Sequence, residues 1–383
     1  VFTRNGTTWS EETKLTASDK EGNDLLGYSC SIYKDTVISG ASAEDPGGIS
    51  GAGSAYVFTR NGTTWSEEAK LTASDPGAGD SLGYFCSVYG DTVVVGSRNN
   101  DVAPFTNSGS AYIFTRSGTT WTEKIKLIPN DAATNKWVGE SCGIYENTVI
   151  VGSLTAKGIY VYDVQPEGPN VVSILAEIKE VQKLTATDAV ANEFMGISQC
   201  SMHMDSLVVS SSRVDTGGLV DAGAAWIFAK SGYTWEYEAK LTASDKAAGD
   251  SFGSSCSIYG DTAVIGAHTD SVPTDREGSA YVFTRSGTSW TEIQKLTASD
   301  KTVADIFGSS CSVYEDTIIV GAYSEDPGAV HAAGSVYVFM RSGTTWNEIQ
   351  KITASDKEVS ALFGWSCSMY QDTLVVGARD KDE

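Results

Sequence analysis

The sequence predicts an all-β fold, a seven-bladed β-propeller of four-stranded antiparallel blades, from three observations. A cysteine-centred segment returns seven times, each copy reads as four short strands, and the chain opens partway through one copy and stops partway through another.

The repeated segment is typified by "FGSSCSIYGDTAVIGA" from Phe252. Aligned on Cys30, Cys86, Cys142, Cys200, Cys256, Cys311 and Cys367, the copies are spaced by 56, 56, 58, 56, 55 and 56 residues. Within a copy, strand A reads "FGSSCSIY", strand B "TAVIGA", strand C "GSAYVFTR" and strand D "TSWTEIQKLT". A turn such as "YGDT" joins A to B. "RNGT" or "RSGT" joins C to D, where Asn-Gly tolerates the positive φ of a tight hairpin. Strand B, as in "TVVVG" and "TIIVG", is almost continuously β-branched, which suits burial on both faces. Small sheets with two apolar faces need neighbours on both sides, and a ring supplies them without free ends.

The ends of the chain predict how the ring closes. It begins with C and D ("VFTR", "TTWSEETKLT") and finishes with A and B ("FGWSCSMY", "TLVVGA"). Pairing them within one sheet removes two exposed edges. The chain therefore reads as one propeller over 1–383, with blades near 25–71, 81–127, 137–184, 194–241, 251–296, 306–352, and 362–383 completed by 1–15.

A net charge of −22, from 49 acidic and 27 basic residues, excludes nucleic acid as the expected partner and favours cations or basic surfaces. No apolar run approaches the roughly 20 residues that cross a bilayer, so membrane insertion is not expected. The first residues lack the pattern of a signal peptide, and the reading is of a removed leader or a piece of a longer protein. Outside the strands, "SILAEIKEVQKL" alone suggests a turn or two of helix.

Phe252-Gly253, Phe307-Gly308 and Phe363-Gly364 open strand A, with Leu26-Gly27, Leu82-Gly83, Val138-Gly139 and Met195-Gly196 as variants. Gly266-Ala267, Gly321-Ala322 and Gly377-Ala378 close strand B. In these residues the chain resembles the FG-GAP repeats of the integrin α-subunit propeller and related extracellular proteins, along essentially its whole length. The resemblance implies an extracellular or cell-surface location. It departs at one point: the A/B hairpin is too short to be the family's DxDxDG calcium loop, since such a turn cannot gather six oxygens. The closer likeness is to the subgroup without calcium loops.

The seven cysteines stand where strand A needs a small buried residue, about one blade apart and at or beyond the roughly 7 Å reach of a disulfide. They are read as structural, with partial disulfides or a reactive or metal-binding ring as the alternatives. Trp9, Trp65, Trp121, Trp235, Trp290 and Trp346 recur in strand D and are read as packing between outer strands, against a lectin reading in which sugars stack on the indoles. Tyr33, Tyr89, Tyr145, Tyr259, Tyr314 and Tyr370 recur three residues after each cysteine, and His203 takes that place in the fourth copy. His268 and His331 fall elsewhere, so no catalytic or metal spacing emerges from the histidines.

A meander sorts its loops. D-to-A linkers and B-to-C loops share one side, and the linkers pair Asp19 with Asp24, Asp75 with Asp80, Asp245 with Asp250 and Asp300 with Asp305. Glu44, Asp45, Asp215, Asp221, Asp270, Asp275, Glu325 and Asp326 join them, so this face is expected to be strongly negative. Turn capping and solubility explain these residues, and a Ca2+ site between paired aspartates is the alternative. Asn5 and Asn61 begin Asn-Gly-Thr sequons in C/D turns, as glycan acceptors if the chain is secreted. The fourth C/D half in chain order, which follows Cys142, enlarges its hairpin to "QPEGPNVVSILAEIKE", a natural place for a protein contact or equally a tolerated insertion. The expected function is a non-enzymatic scaffold or adhesion module that binds protein or glycan partners, within a larger surface or filamentous assembly. A lectin and a propeller hydrolase or lyase are the alternatives.

Overall fold

The computed structural model describes residues 1–155, 158–163, 179–185, 195–196, 198–232, 234–270 and 276–381. They form seven four-stranded antiparallel sheets. Blade 1 runs through Leu26–Tyr33, Thr36–Ala41, Ser54–Asn61 and Thr64–Leu71, the strands A to D. Strand A of blades 2 to 7 is Leu82–Tyr89, Val138–Tyr145, Cys200–His203, Phe252–Tyr259, Phe307–Tyr314 and Phe363–Tyr370. The A strands adjoin one another around the axis, and the D strands lie at the rim.

Blade 7 closes the ring. Its sheet runs Thr8–Glu11, Phe2–Asn5, Thr373–Ala378, Phe363–Tyr370, so the first two strands complete the sheet begun by the last two. Phe2 pairs with Leu374 and Thr3 with Thr373. The amide of Arg4 donates to the Asp372 carbonyl at 2.9 Å. Gln350 of blade 6 brackets Trp9, accepting from its amide at 2.7 Å and donating to its carbonyl at 2.8 Å.

The Phe-Gly and Gly-Ala signatures have a packing explanation. Gly27 (φ +93) lies where the A–B register slips, a bulge that frees its carbonyl from its own sheet. A Cβ on Gly377 of the preceding blade would stand 2.2 Å from that oxygen. The same close approach joins Gly40 to Gly83, Gly96 to Gly139, Gly152 to Gly196, Gly266 to Gly308 and Gly321 to Gly364. In blade 4 Ser210 takes the strand-B place.

Hydroxyls of strand A stitch blade to blade. Ser29 Oγ donates to the Gly83 carbonyl at 3.1 Å, and Ser366 Oγ to the Gly27 carbonyl at 2.9 Å. One pleat on, Ser31 Oγ accepts from the Val88 amide and Ser368 Oγ from the Ile32 amide, both at 3.2 Å. Gly143 holds the equivalent place in blade 3 and has no hydroxyl to offer blade 4. The apolar core is divided between blades in the same way: Val93 and Val95 of one strand B pack with Val57 and Leu71 of the blade before.

Of "SILAEIKEVQKL", the part within the described residues is strand: Lys179–Leu184 is strand D of blade 4's predecessor, blade 3. The rest of the enlarged hairpin, 164–178, lies outside the described residues, as does Asp275.

Candidate functional site

The linker aspartates do not stand as open pairs. The linkers that carry these aspartates lie over the outer strands of the blade they enter. Asp19 accepts from Tyr56 Oη at 2.8 Å and Lys70 Nζ at 2.7 Å, while Ser18 donates through its amide and hydroxyl to Glu67. Asp75 binds Tyr112 and Lys126, Asp245 binds Tyr281 and Lys295, and Asp300 binds Tyr337 and Lys351 in the same manner. The second member turns to its own loop: Asp24 accepts from the Glu21 amide, Asp80 from Gly77, Asp250 from Ala247 and Asp305 from Thr302.

The lysine is also gripped from the B-to-C loop. Lys70 Nζ meets Glu44 at 2.6 Å, Lys295 meets Asp270 at 2.7 Å and Lys351 meets Glu325 at 2.8 Å. An ammonium group therefore sits between carboxylates, and a calcium ion would have to displace it. Among the described residues no group of three or more His, Cys, Asp or Glu side chains is arranged to hold a metal. Hydrogen bonding from Lys70 holds Asp19 below the ordinary carboxylate range. For Asp75, Asp245 and Asp300 burial pulls upward, but the lysine and tyrosine hydrogen bonds outweigh it and the result is again a lowered pKa. Burial raises Asp24, Asp250 and Asp305. Lys70, Lys126, Lys295 and Lys351 thus hold part of the acidity expected of this face in ion pairs.

The cysteines lie between blades, each thiol free, all buried except the half-buried Cys30. Cys30 Sγ accepts from Ser366 Oγ at 3.3 Å, across the ring's closing interface. Burial pushes the thiols of Cys86, Cys200 and Cys311 up to about 12.

Trp9, Trp235 and Trp346 are buried, and Trp65, Trp121 and Trp290 partly so. A cation from strand C covers every indole, as Arg60 does Trp65 at 5.2 Å and Arg116 does Trp121 at 5.2 Å. Two adjacent positions of the preceding blade decide the rest. Gln182, Gln294 and Gln350 bracket the backbone of Trp235, Trp346 and Trp9. Glu12, Glu68 and Glu238, one residue earlier in the repeat, accept the indole N–H of Trp65, Trp121 and Trp290.

Around the axis on the short-turn face the recurring tyrosines form a closed belt. Ring centroids run Tyr33–Tyr89 4.5 Å, Tyr89–Tyr145 4.9 Å, Tyr145–His203 5.4 Å, His203–Tyr259 4.2 Å, Tyr259–Tyr314 4.7 Å, Tyr314–Tyr370 5.3 Å and Tyr370–Tyr33 5.0 Å. His203 Nδ1 accepts from the Gly260 amide at 3.0 Å. On that side Asn5 and Asn61 are exposed in their turns.

The opposite mouth of the axis, on the linker and loop face, carries the residues that sequence reasoning missed. Tyr28, Tyr84 and Trp365 follow the Phe-Gly step, and Tyr323 and Arg379 immediately follow their B strands. Tyr84 and Tyr28 lie 4.8 Å apart, Tyr28 and Trp365 5.9 Å, and Trp365 and Tyr323 4.7 Å. Arg379 stacks on Trp365 at 3.7 Å and Arg98 on Tyr84 at 4.4 Å. Arg98 Nη1 also meets Glu140 at 3.2 Å. Burial raises the Glu140 carboxyl against the pull of Arg98, Tyr84 and Arg213. Burial, then Arg276, lowers His268. Among the described residues Arg98 Nε and His268 Nδ1 are buried without a hydrogen-bond partner. The signal available in the sequence was variation: the position after Phe-Gly holds Tyr28, Tyr84, Glu140, Ser254, Ser309 and Trp365 within an otherwise constant motif.

A family model described as FG-GAP repeat matches residues 9–58, 65–114, 235–283, 290–339 and 346–383, together more than half of the chain. The longest unmatched stretch contains the enlarged hairpin and the fourth cysteine. No curated protein matches the chain significantly.

Proposed function

Because this chain belongs to the FG-GAP repeat family, a fold consistent with a binding or scaffold module, we propose that it is a non-enzymatic adhesion module. It acts outside the cell or at its surface, within a larger assembly, and engages protein or glycan partners through its linker and loop face. The observation that carries this reading is the axial mouth, where half-buried aromatic rings and arginines from four blades gather beside unsatisfied polar atoms. Residues that stabilise the ring recur from blade to blade. These do not, and repetition is what packing alone would demand.

The test is a panel of matrix proteins and glycans probed with the whole chain, with Trp365→Ala, and with the turn-face variant Tyr89→Phe. Selective loss with Trp365→Ala supports the reading. Partners retained by Trp365→Ala and lost with Tyr89→Phe would transfer the function to the opposite face.

A further inference from the structure

Asn5 and Asn61 begin the only two Asn-X-Ser/Thr sequons in the chain, and the fold puts both in the same place. Asn5 pairs with Thr8 across the C/D hairpin of blade 7, and Asn61 with Thr64 across that of blade 1, so the turns are Gly6-Thr7 and Gly62-Thr63. Four other blades make this turn in the same register with serine in the asparagine's place: Ser117, Ser231, Ser286 and Ser342. The left-handed step falls on the glycine, φ +64 at Gly6 and +65 at Gly62, and neither asparagine has a positive φ. The turn therefore does not need asparagine. Asn5, Thr7, Asn61 and Thr63 are all exposed. A Cβ added to Gly6 or Gly62 would meet nothing within 4 Å, so the space over both turns is open.

We propose that Asn5 and Asn61 are N-glycan acceptors, and that the two glycans stand on neighbouring blades of the short-turn face, where blades 7 and 1 meet. The proposal rests on the extracellular part of the proposed function, because the donor, a lipid-pyrophosphate-linked oligosaccharide, and its transferase are met on the secretory route. In the transfer the asparagine Nδ2 loses a proton and bonds to the anomeric carbon of the sugar. The bond from that carbon to the pyrophosphate oxygen breaks, and the lipid pyrophosphate leaves with its electron pair. The threonine two residues on, Thr7 or Thr63, completes the acceptor. A hollow lined by Thr3, Lys34, Asp35, Arg60, Tyr370 and Asp372 adjoins both turns: Arg60 immediately precedes Asn61, and Thr3 is two residues from Asn5. An oligosaccharide is bulky and hydrated, so two of them here keep protein partners off this part of the turn face. The linker and loop face has no sequon and stays bare.

The experiment sends the whole chain through the secretory route of a eukaryotic cell behind a cleavable leader, and isolates the protein from its natural source alongside. Peptides of both are weighed by mass spectrometry before and after enzymatic release of N-glycans, which leaves aspartate at each occupied site. The secreted chain is expected to carry both glycans. Asn5→Gln and Thr7→Ala should each remove the first, and Asn61→Gln and Thr63→Ala the second. Ser117→Asn writes the sequon into the matching turn of blade 2 and should add a third. An unmodified Asn5 or Asn61 in the secreted chain, a glycan that survives Thr7→Ala or Thr63→Ala, or no gain with Ser117→Asn would each overturn the proposal and leave the extracellular reading untouched. If the secreted chain carries both glycans and the natural protein neither, the two acceptors are sound and the premise of a secretory route is what fails.

Discussion

The carbonyl oxygen of Gly83 presses on the α-carbon of Gly40 one blade away, so closely that a Cβ on Gly40 would lie 1.9 Å from it. Both partners are backbone, so the contact cannot relax by a rotamer change. Gly40→Ala is therefore expected to cost about 1–3 kcal/mol or more, as overpacking does. Gly22→Ala, where the added methyl meets nothing within 4 Å, should change stability by less than about 0.5 kcal/mol. Chemical denaturation of both variants checks this, and equal midpoints would refute the packing account of the motif.

Ring closure gives a second expectation. Removing residues 1–17 takes away Phe2 and Trp9, both buried in the blade 7 core, and leaves Thr373–Ala378 as a bare edge. Truncating such residues singly costs about 3–5 kcal/mol. The melting temperature should fall by about 5 °C or more. An unchanged melting curve would mean that the terminal strands contribute nothing to the ring.

The lysine clasp makes a third. Lys70→Met leaves Glu44, whose side chain is only 9% exposed, without its cation, and should destabilise by about 1–3 kcal/mol. Asp19 is half exposed, so solvent screens its share. Its folded pKa is lowered, so the stability it contributes is present above the unfolded value of about 3.9 and is lost as pH falls through the folded value. The gap between wild type and Lys70→Met should then narrow below about pH 4. With the ammonium in place, melting in calcium and in chelator should coincide; a rise of several degrees in calcium would show that the ion displaces it.

How far the sequence speaks differs by level. Strands and their closure follow from apolar patterning and from the phase of the repeat, because Phe2 and Leu374 belong to halves of one unit. The linker aspartates are visible as a motif, but their partners are not: Asp19 and Lys70 are 51 residues apart and meet only because the linker crosses onto the next blade. The axial mouth is hardest to see. Tyr28, Glu140 and Trp365 share a structural position without sharing chemistry, and an eye tuned to repetition passes over them.

His203, the one imidazole in the tyrosine belt, sets the last prediction. It is half-buried between Tyr145 and Tyr259, burial lowers its pKa, and its Nδ1 can accept from the Gly260 amide only while that nitrogen is unprotonated. The unfolded chain takes up this proton near pH 6.5, before the folded chain does, so the unfolded state binds more protons over that interval. Stability contributed by His203 is therefore complete above about pH 7 and is lost as pH falls through 6.5 toward the folded pKa. His203→Tyr completes the belt and gives up the Gly260 acceptor, which costs about 1 kcal/mol at pH 7.5. His268 shifts in the same direction but is present in both proteins, so subtracting their curves isolates His203. Melting temperatures measured from pH 7.5 to 5.5 should show the wild type's margin over His203→Tyr shrinking steadily, and parallel curves would mean that the belt does not respond to this proton.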